Sequence, residues 1–141
     1  MHTSIFIDGL PLTASQRIDQ LTDRLAALPK ASEHHIWEAY TLLECLSACR
    51  HDDRDRRYFR DLMDASAHLE ALLFLLARSR PALELHHLSL SDGVWSCRLI
   101  VGSADRSLCG AAVHPDRNAA ILLALIRAAG SSAFSGGHDD A

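Results

Sequence analysis

Apolar and polar positions change period along this chain, and the changes mark its elements. Over residues 94–101, Val94, Ser96, Arg98 and Ile100 alternate with Trp95, Cys97, Leu99 and Val101. That period of two gives a twisted strand with its larger apolar groups on one face. Gly102-Ser103-Ala104-Asp105 supplies a turn, residues 108–113 a returning strand, and His114-Pro115-Asp116 a stop. The period then becomes helical: Asp116 can cap a helix whose apolar face is Ile121, Leu122, Leu125 and Ile126. Upstream, residues 83–90 form the first strand of the sheet, joined to the second through Asp92-Gly93. Residues 93–129 are thus a packing unit rather than a chemical one.

The N-terminal third reads as helix. Residues 4–7 are a short β-branched and aromatic segment, either an edge strand of the sheet or an arm docked elsewhere. Thr13 with Gln16 is a capping-box pattern, and Ile18, Leu21, Leu25 and Leu28 make one stripe over residues 14–28. Ser32 can cap a second helix carrying Ile36, Trp37, Tyr40, Leu43 and Leu46, with Leu42, Cys45 and Cys49 on a neighbouring stripe. Apolar groups on two stripes suit a helix central to a bundle, or one that shows a second face to a partner. A third helix starts at Asp52 or Asp53 and runs through Tyr58, Phe59, Leu62 and Met63; residues 64–67 either continue it with a slight kink, the favoured reading, or break it with a new cap at Asp64 or Ser66, before Leu69, Leu72, Leu73 and Leu76. Ser79-Arg80-Pro81 ends it.

The expected fold is α+β: a three-stranded antiparallel meander packed against two long helices, with an N-terminal helical portion. Residues 1–130 make one domain, comprising a helical portion over 1–50 and an α-β-β-β-α unit over 58–129. Residues 131–141, Ser/Gly-rich and closing on His138-Asp139-Asp140-Ala141, read as a disordered tail.

Composition narrows the function classes. Of 141 residues 48% are hydrophobic and 23% charged, an ordinary globular balance. The formal charge of −4 provides no basic footprint for a phosphate backbone, so nucleic acid is not the expected partner. No apolar run reaches the roughly 20 residues of a membrane span, and the first residues lack a secretory pattern. Four cysteines without framework spacing suggest free thiols in a reducing cytoplasm.

Candidate chemistry is sparse. Cys45 and Cys49, with His51 just beyond, could give half a zinc site, but a second close pair with metal spacing is missing. In the pairs His34-His35 and His86-His87 adjacent side chains diverge, so these read as solvent-facing histidines. No nucleophile elbow, Gly-rich phosphate loop or paired-carboxylate motif is present. Neither metal nor cofactor is predicted, and no catalytic residue. The richest stretch mixes signs: Asp52, Asp53, Arg54, Asp55, Arg56 and Arg57 lead into Tyr58 and Phe59. Arginine beside aromatics is the composition of interface anchors, so these eight residues, with Trp37 as a subunit contact, are the candidate interface.

From about Tyr58 to Ala129 the order resembles the phage ABA-sandwich domain. The likeness is carried by the helix DASAHLEALLFLL, the strand with Trp95-Ser96-Cys97 and the closing RNAAILLALIRA. The resemblance implies a phage or mobile-element origin and brings no activity and no functional residues. The expected function is therefore non-enzymatic binding of another protein, with homodimerisation through the surplus apolar helix surface. On the phage reading the protein would be an inhibitor of a host defence complex, anti-CRISPR-like, in the cytoplasm of a bacterial host. Asp52, Asp53, Asp55 and Asp61 would then meet a basic groove. The competing readings are a nucleic-acid-binding adaptor and a small thiol-dependent enzyme using Cys49 or Cys109.

Overall fold

The computed structural model describes residues 6–7, 10–102 and 108–131. Phe6–Ile7 (β1) and Leu10–Pro11 (β2) pair antiparallel as a two-stranded sheet of their own. The first segment is therefore an arm and not an edge of the main sheet. Ala14–Ala27 (α1) begins with the predicted capping box: the Thr13 hydroxyl accepts from Gln16 N–H, and the Gln16 side chain accepts from Thr13 N–H. Leu21 and Leu25 are buried along its stripe, while Leu28 lies past its end and is exposed.

The second helix is shorter than its apolar pattern. Glu33–Leu42 (α2) stops where Leu43 turns extended, at φ −78° and ψ 124°. A 3-10 turn (Glu44–Leu46) and a short helix, Ser47–Arg50 (α3), follow. Arg50 holds the break, its Nη1 donating to the carbonyls of Tyr40 at 2.9 Å and Leu43 at 2.7 Å. The Tyr40 carbonyl is one of those that a helix end leaves without an intrahelical partner, and the Leu43 carbonyl also accepts from Leu46 N–H in the 3-10 turn. The break also redirects the apolar groups. Ile36, Tyr40, Leu43, Leu46 and Cys49 are all buried within one chain, in one core cluster. Leu42 and Cys45, on the neighbouring stripe, stay half-buried.

A second correction falls at residues 64–67. Instead of continuing, Asp53–Asp64 (α4) ends and His68–Arg78 (α5) starts afresh. Ser66 takes φ 58°, Ala67 N–H donates to Leu62 O and Ser66 N–H to Met63 O. That pair of bonds is a Schellman motif, with serine in the left-handed position usually given to glycine.

The meander forms as expected: Leu83–Ser91 (β3), Val94–Val101 (β4) and Leu108–His114 (β5) pair antiparallel in the order β3-β4-β5. Asp92 and Gly93, at φ 55° and 77°, make the tight hairpin between the first two. The expected turn at residues 102–105 and the proposed tail lie largely outside the described residues. Arg117–Ala129 (α6), capped by Asp116, crosses the inner face of the sheet, and α5 packs beside it and against β3. These are helices of 11 and 13 residues, about three turns each. Every residue from 119 to 126 is buried.

Two details lock the layers. Gly110, paired with Leu99, lies against α6 so closely that a Cβ there would sit 2.3 Å from the Ala124 carbonyl oxygen. At the other end, buried His114 and half-buried Asp116 join the sheet to the N-terminal helices. His114 Nε2 lies 2.8 Å from the Leu25 carbonyl and its Nδ1 accepts from Asp116 N–H, so Nε2 carries the proton. One oxygen of Asp116 accepts from Ala119 N–H, capping α6, and from Ala31 N–H in the α1–α2 link. The N-terminal helices therefore pack in cis on α6.

Candidate functional site, a groove between two helices

The charged stretch that opens α4 is sorted by helical geometry. At about 100° per residue, Arg54, Asp55 and Tyr58 fall on one side, Phe59 and Met63 on the next, and Asp53, Arg57 and Arg60 opposite. Phe59 and Met63 are buried. Phe59 stacks on Tyr40 with centroids 4.4 Å apart and meets Trp37 edge-on at 5.0 Å. It belongs to the core, and its place in the candidate interface is withdrawn, because a side chain with 0% exposure presents nothing to a partner.

Asp52, Arg54, Asp55 and Tyr58 line a groove of about 1030 Å³ whose other wall is Phe74, Arg78 and Arg80, with Ala77, Ser79, Pro81 and Ala82 between. The walls are fixed from both sides. Asp52 caps α4 by accepting from Asp55 N–H at 3.0 Å. Asp55 accepts from Arg78 Nε at 3.3 Å, and the Arg78 guanidinium lies 5.2 Å over the Phe74 ring. Tyr58, 52% exposed, leans on Phe74 at 4.9 Å with the rings tilted by 60°. The floor is tied to the 3-10 turn by Arg80 N–H, which donates to the Cys45 carbonyl at 3.0 Å. The buried Ser79 hydroxyl stands 2.9 Å from the carbonyls of both Leu76 and Pro81, and the Arg80-Pro81 peptide bond is cis.

The other candidates lie elsewhere. Arg56 pairs with Asp53 at 2.5 Å and also reaches the Arg50 carbonyl. Arg57 faces solvent away from the groove. Trp37, half-buried, lines a second groove between α1 and α2 with Arg24, His34 and Glu38, and no lining residue is common to the two. The acidic array expected to meet a basic surface is largely engaged, since Asp52 caps, Asp53 pairs with Arg56 and Asp55 with Arg78.

Reading the sequence missed Phe74, Arg78, Ser79 and Arg80. The signal is there as Arg78-Ser79-Arg80-Pro81, two guanidinium groups straddling a helix end, although Ser79-Arg80-Pro81 by itself reads only as a stop.

The thiols do not build a reactive site. All four cysteines are free. Burial pushes Cys45, Cys49 and Cys97 up to about 11, and raises Cys109 as well. A nucleophilic cysteine needs the opposite shift, so neither Cys49 nor Cys109 has the setting of a catalytic thiolate. Among the described residues no group of three or more His, Cys, Asp or Glu side chains could hold a metal ion. His34, His86 and His87 are exposed as expected, whereas His35 is buried, its Nδ1 accepting from Ser32 N–H at 2.9 Å and its ring meeting that of His34 edge-on at 6.2 Å. No helix among the described residues is long and apolar enough to cross a membrane.

Comparison with known proteins finds no matching family model, no matching curated protein and no matching solved structure.

Proposed function

We propose that this protein is a protein-interaction module and that the groove between α4 and α5 is its docking site. One observation carries the reading: Tyr58, half exposed, is propped against Phe74 and flanked by Arg54, Arg78 and Arg80. A large amphipathic ring held rigid beside guanidinium groups is the makeup of an interface hot spot. Nothing in the packing of α4 on α5 calls for that much ring to stay in water. The reading has no catalytic step; affinity comes from filling the groove. On the resemblance of residues 58–129 to the phage domain, the partner would belong to a host defence complex, which the protein would inhibit by covering a working surface.

The test compares captures from host-cell lysate by the wild type, Tyr58→Ala and Arg57→Gln. A stoichiometric partner held by the wild type and by Arg57→Gln, and released by Tyr58→Ala, supports the groove. A partner retained by Tyr58→Ala at wild-type yield removes it.

A further inference from the structure

The chemistry of the groove's occupant can be narrowed, and this step rests on the docking reading above. Three guanidinium groups and two carboxylates line the groove. Both carboxylates already have partners: Asp52 holds a backbone N–H of its own helix, and Asp55 holds Arg78. Among the described residues the ion pairs are Arg24–Glu38, His34–Glu38, Arg56–Asp53 and Arg78–Asp55, and none engages Arg54 or Arg80. Arg54, on α4, and Arg80, just past α5, thus line the groove with no ion pair of their own. The chain as a whole carries a formal charge of −4, whereas the five charged groups of the groove sum to +1. The groove is a cationic spot on an anionic protein, which steers an anionic ligand to this place and away from others.

The apolar lining fixes the second half of the ligand. Tyr58 and Phe74 form a tilted aromatic ledge, and Ala77, Pro81 and Ala82 leave a smooth wall below it. At about 1030 Å³ the groove is at the upper end of the range for small-molecule sites. A peptide segment fills a volume of that size, where a single anion would not. Asp52 and Asp55 then decide between two polyanions. A phosphodiester strand brings a charge at every residue and would set some of them against these carboxylates. A peptide can place its carboxylates at Arg54 and Arg80 and a side-chain ring at the ledge.

From this geometry we infer that the groove takes an acidic segment of a partner protein, with a carboxylate held by Arg54 and Arg80 and a neighbouring aromatic or aliphatic side chain against Tyr58 and Phe74. Charge-assisted bonds from arginine to carboxylate supply the specificity, since they are about twice as strong as neutral ones.

The experiment is fluorescence anisotropy on the full chain with three labelled probes: a short peptide of alternating Glu and Phe, its Gln-and-Phe counterpart, and an oligo-thymidine strand. The Glu peptide should bind at least about tenfold more tightly than the Gln peptide, the worth of one charge-assisted bond. Arg54→Gln, an exposed change on a helix surface, should weaken the Glu peptide by about that factor and leave the Gln peptide unmoved. Arg80→Gln should do the same, and Arg57→Gln should do nothing. Equal binding of the two peptides, wild-type affinity in Arg54→Gln, or tighter binding of oligo-thymidine than of the Glu peptide would each overturn the inference. So would no binding of the Glu peptide at about 1 mM, a Kd at which little net free energy is gained. In that case a partner lost from Tyr58→Ala in the lysate experiment would still leave the docking reading standing, with a different ligand chemistry.

Discussion

The sheet-and-α6 layer and the α4–α5 corner are neighbours built from the same kinds of residue, and they use them in opposite ways. Under α6, side chains are consumed by packing: residues 119 to 126 are all buried, and Gly110 has given up its side chain so that a strand can touch a helix backbone. At the corner, a tyrosine is left half in water and two arginines stand without carboxylates. The face of the sheet under α6 is committed to packing, although Leu90, Val94, Leu108 and Val113 stay exposed on the strands, whereas the corner holds polar and aromatic groups open together. The difference teaches where to look for function in a chain that carries no catalytic motif.

Adjacent residues on α4 give the sharpest way to break that comparison. Phe59→Ala should cost about 4 kcal/mol, as emptying a buried aromatic site does. Tyr58→Ala should cost no more than about 1 kcal/mol, chiefly its contact with Phe74. Urea unfolding of the two variants checks this, and similar losses would mean that Tyr58 is part of the core. Next in size, Gly110→Ala should destabilise by about 3 kcal/mol, because the new methyl meets helix backbone that cannot rotate away. A midpoint unchanged from wild type would show that α6 sits further from β5. Asp116→Ala removes a cap and leaves Ala31 N–H without its acceptor, for about 2 kcal/mol in the same measurement.

A smaller effect is expected from pH. Burial lowers the His35 pKa below the ordinary histidine value, first by desolvation and then by the nearby Arg24 charge. The unfolded chain therefore takes up its proton at a higher pH than the folded one. The contribution to stability is fully present above about pH 6.5 and is lost as pH falls below it. Thermal melts across that window should show the decline. His35→Gln, which keeps an acceptor for Ser32 N–H, should flatten His35's share of it. The smallest change is a gain: Ser66→Gly should add about 0.5 kcal/mol by relieving a left-handed serine, net of glycine's greater freedom in the unfolded chain. Peptide binding should not move with it.

The chain by itself determined whatever depends on neighbours a few residues apart. The caps at Thr13, Asp52 and Asp116 and the Asp92-Gly93 hairpin are local, so the strand order and the starts of α1, α4 and α6 were legible. The α+β class followed from the change of apolar period. Tertiary structure decided what local signals leave balanced. Glu33 to Cys49 could have been one helix; it breaks because Arg50 reaches back to the carbonyls of Tyr40 and Leu43, and because the break lets Ile36, Tyr40, Leu43, Leu46 and Cys49 share one core. Tyr58 and Phe59 look alike in sequence, and only the direction of the core from α4 makes one a binding group and the other a packing group. Arg78 and Arg80 join Arg54 and Asp55 across more than twenty residues, through the turn at Ser66 that swings α5 back along α4. No periodicity records that return, because its direction is set by where the buried faces of the two helices meet.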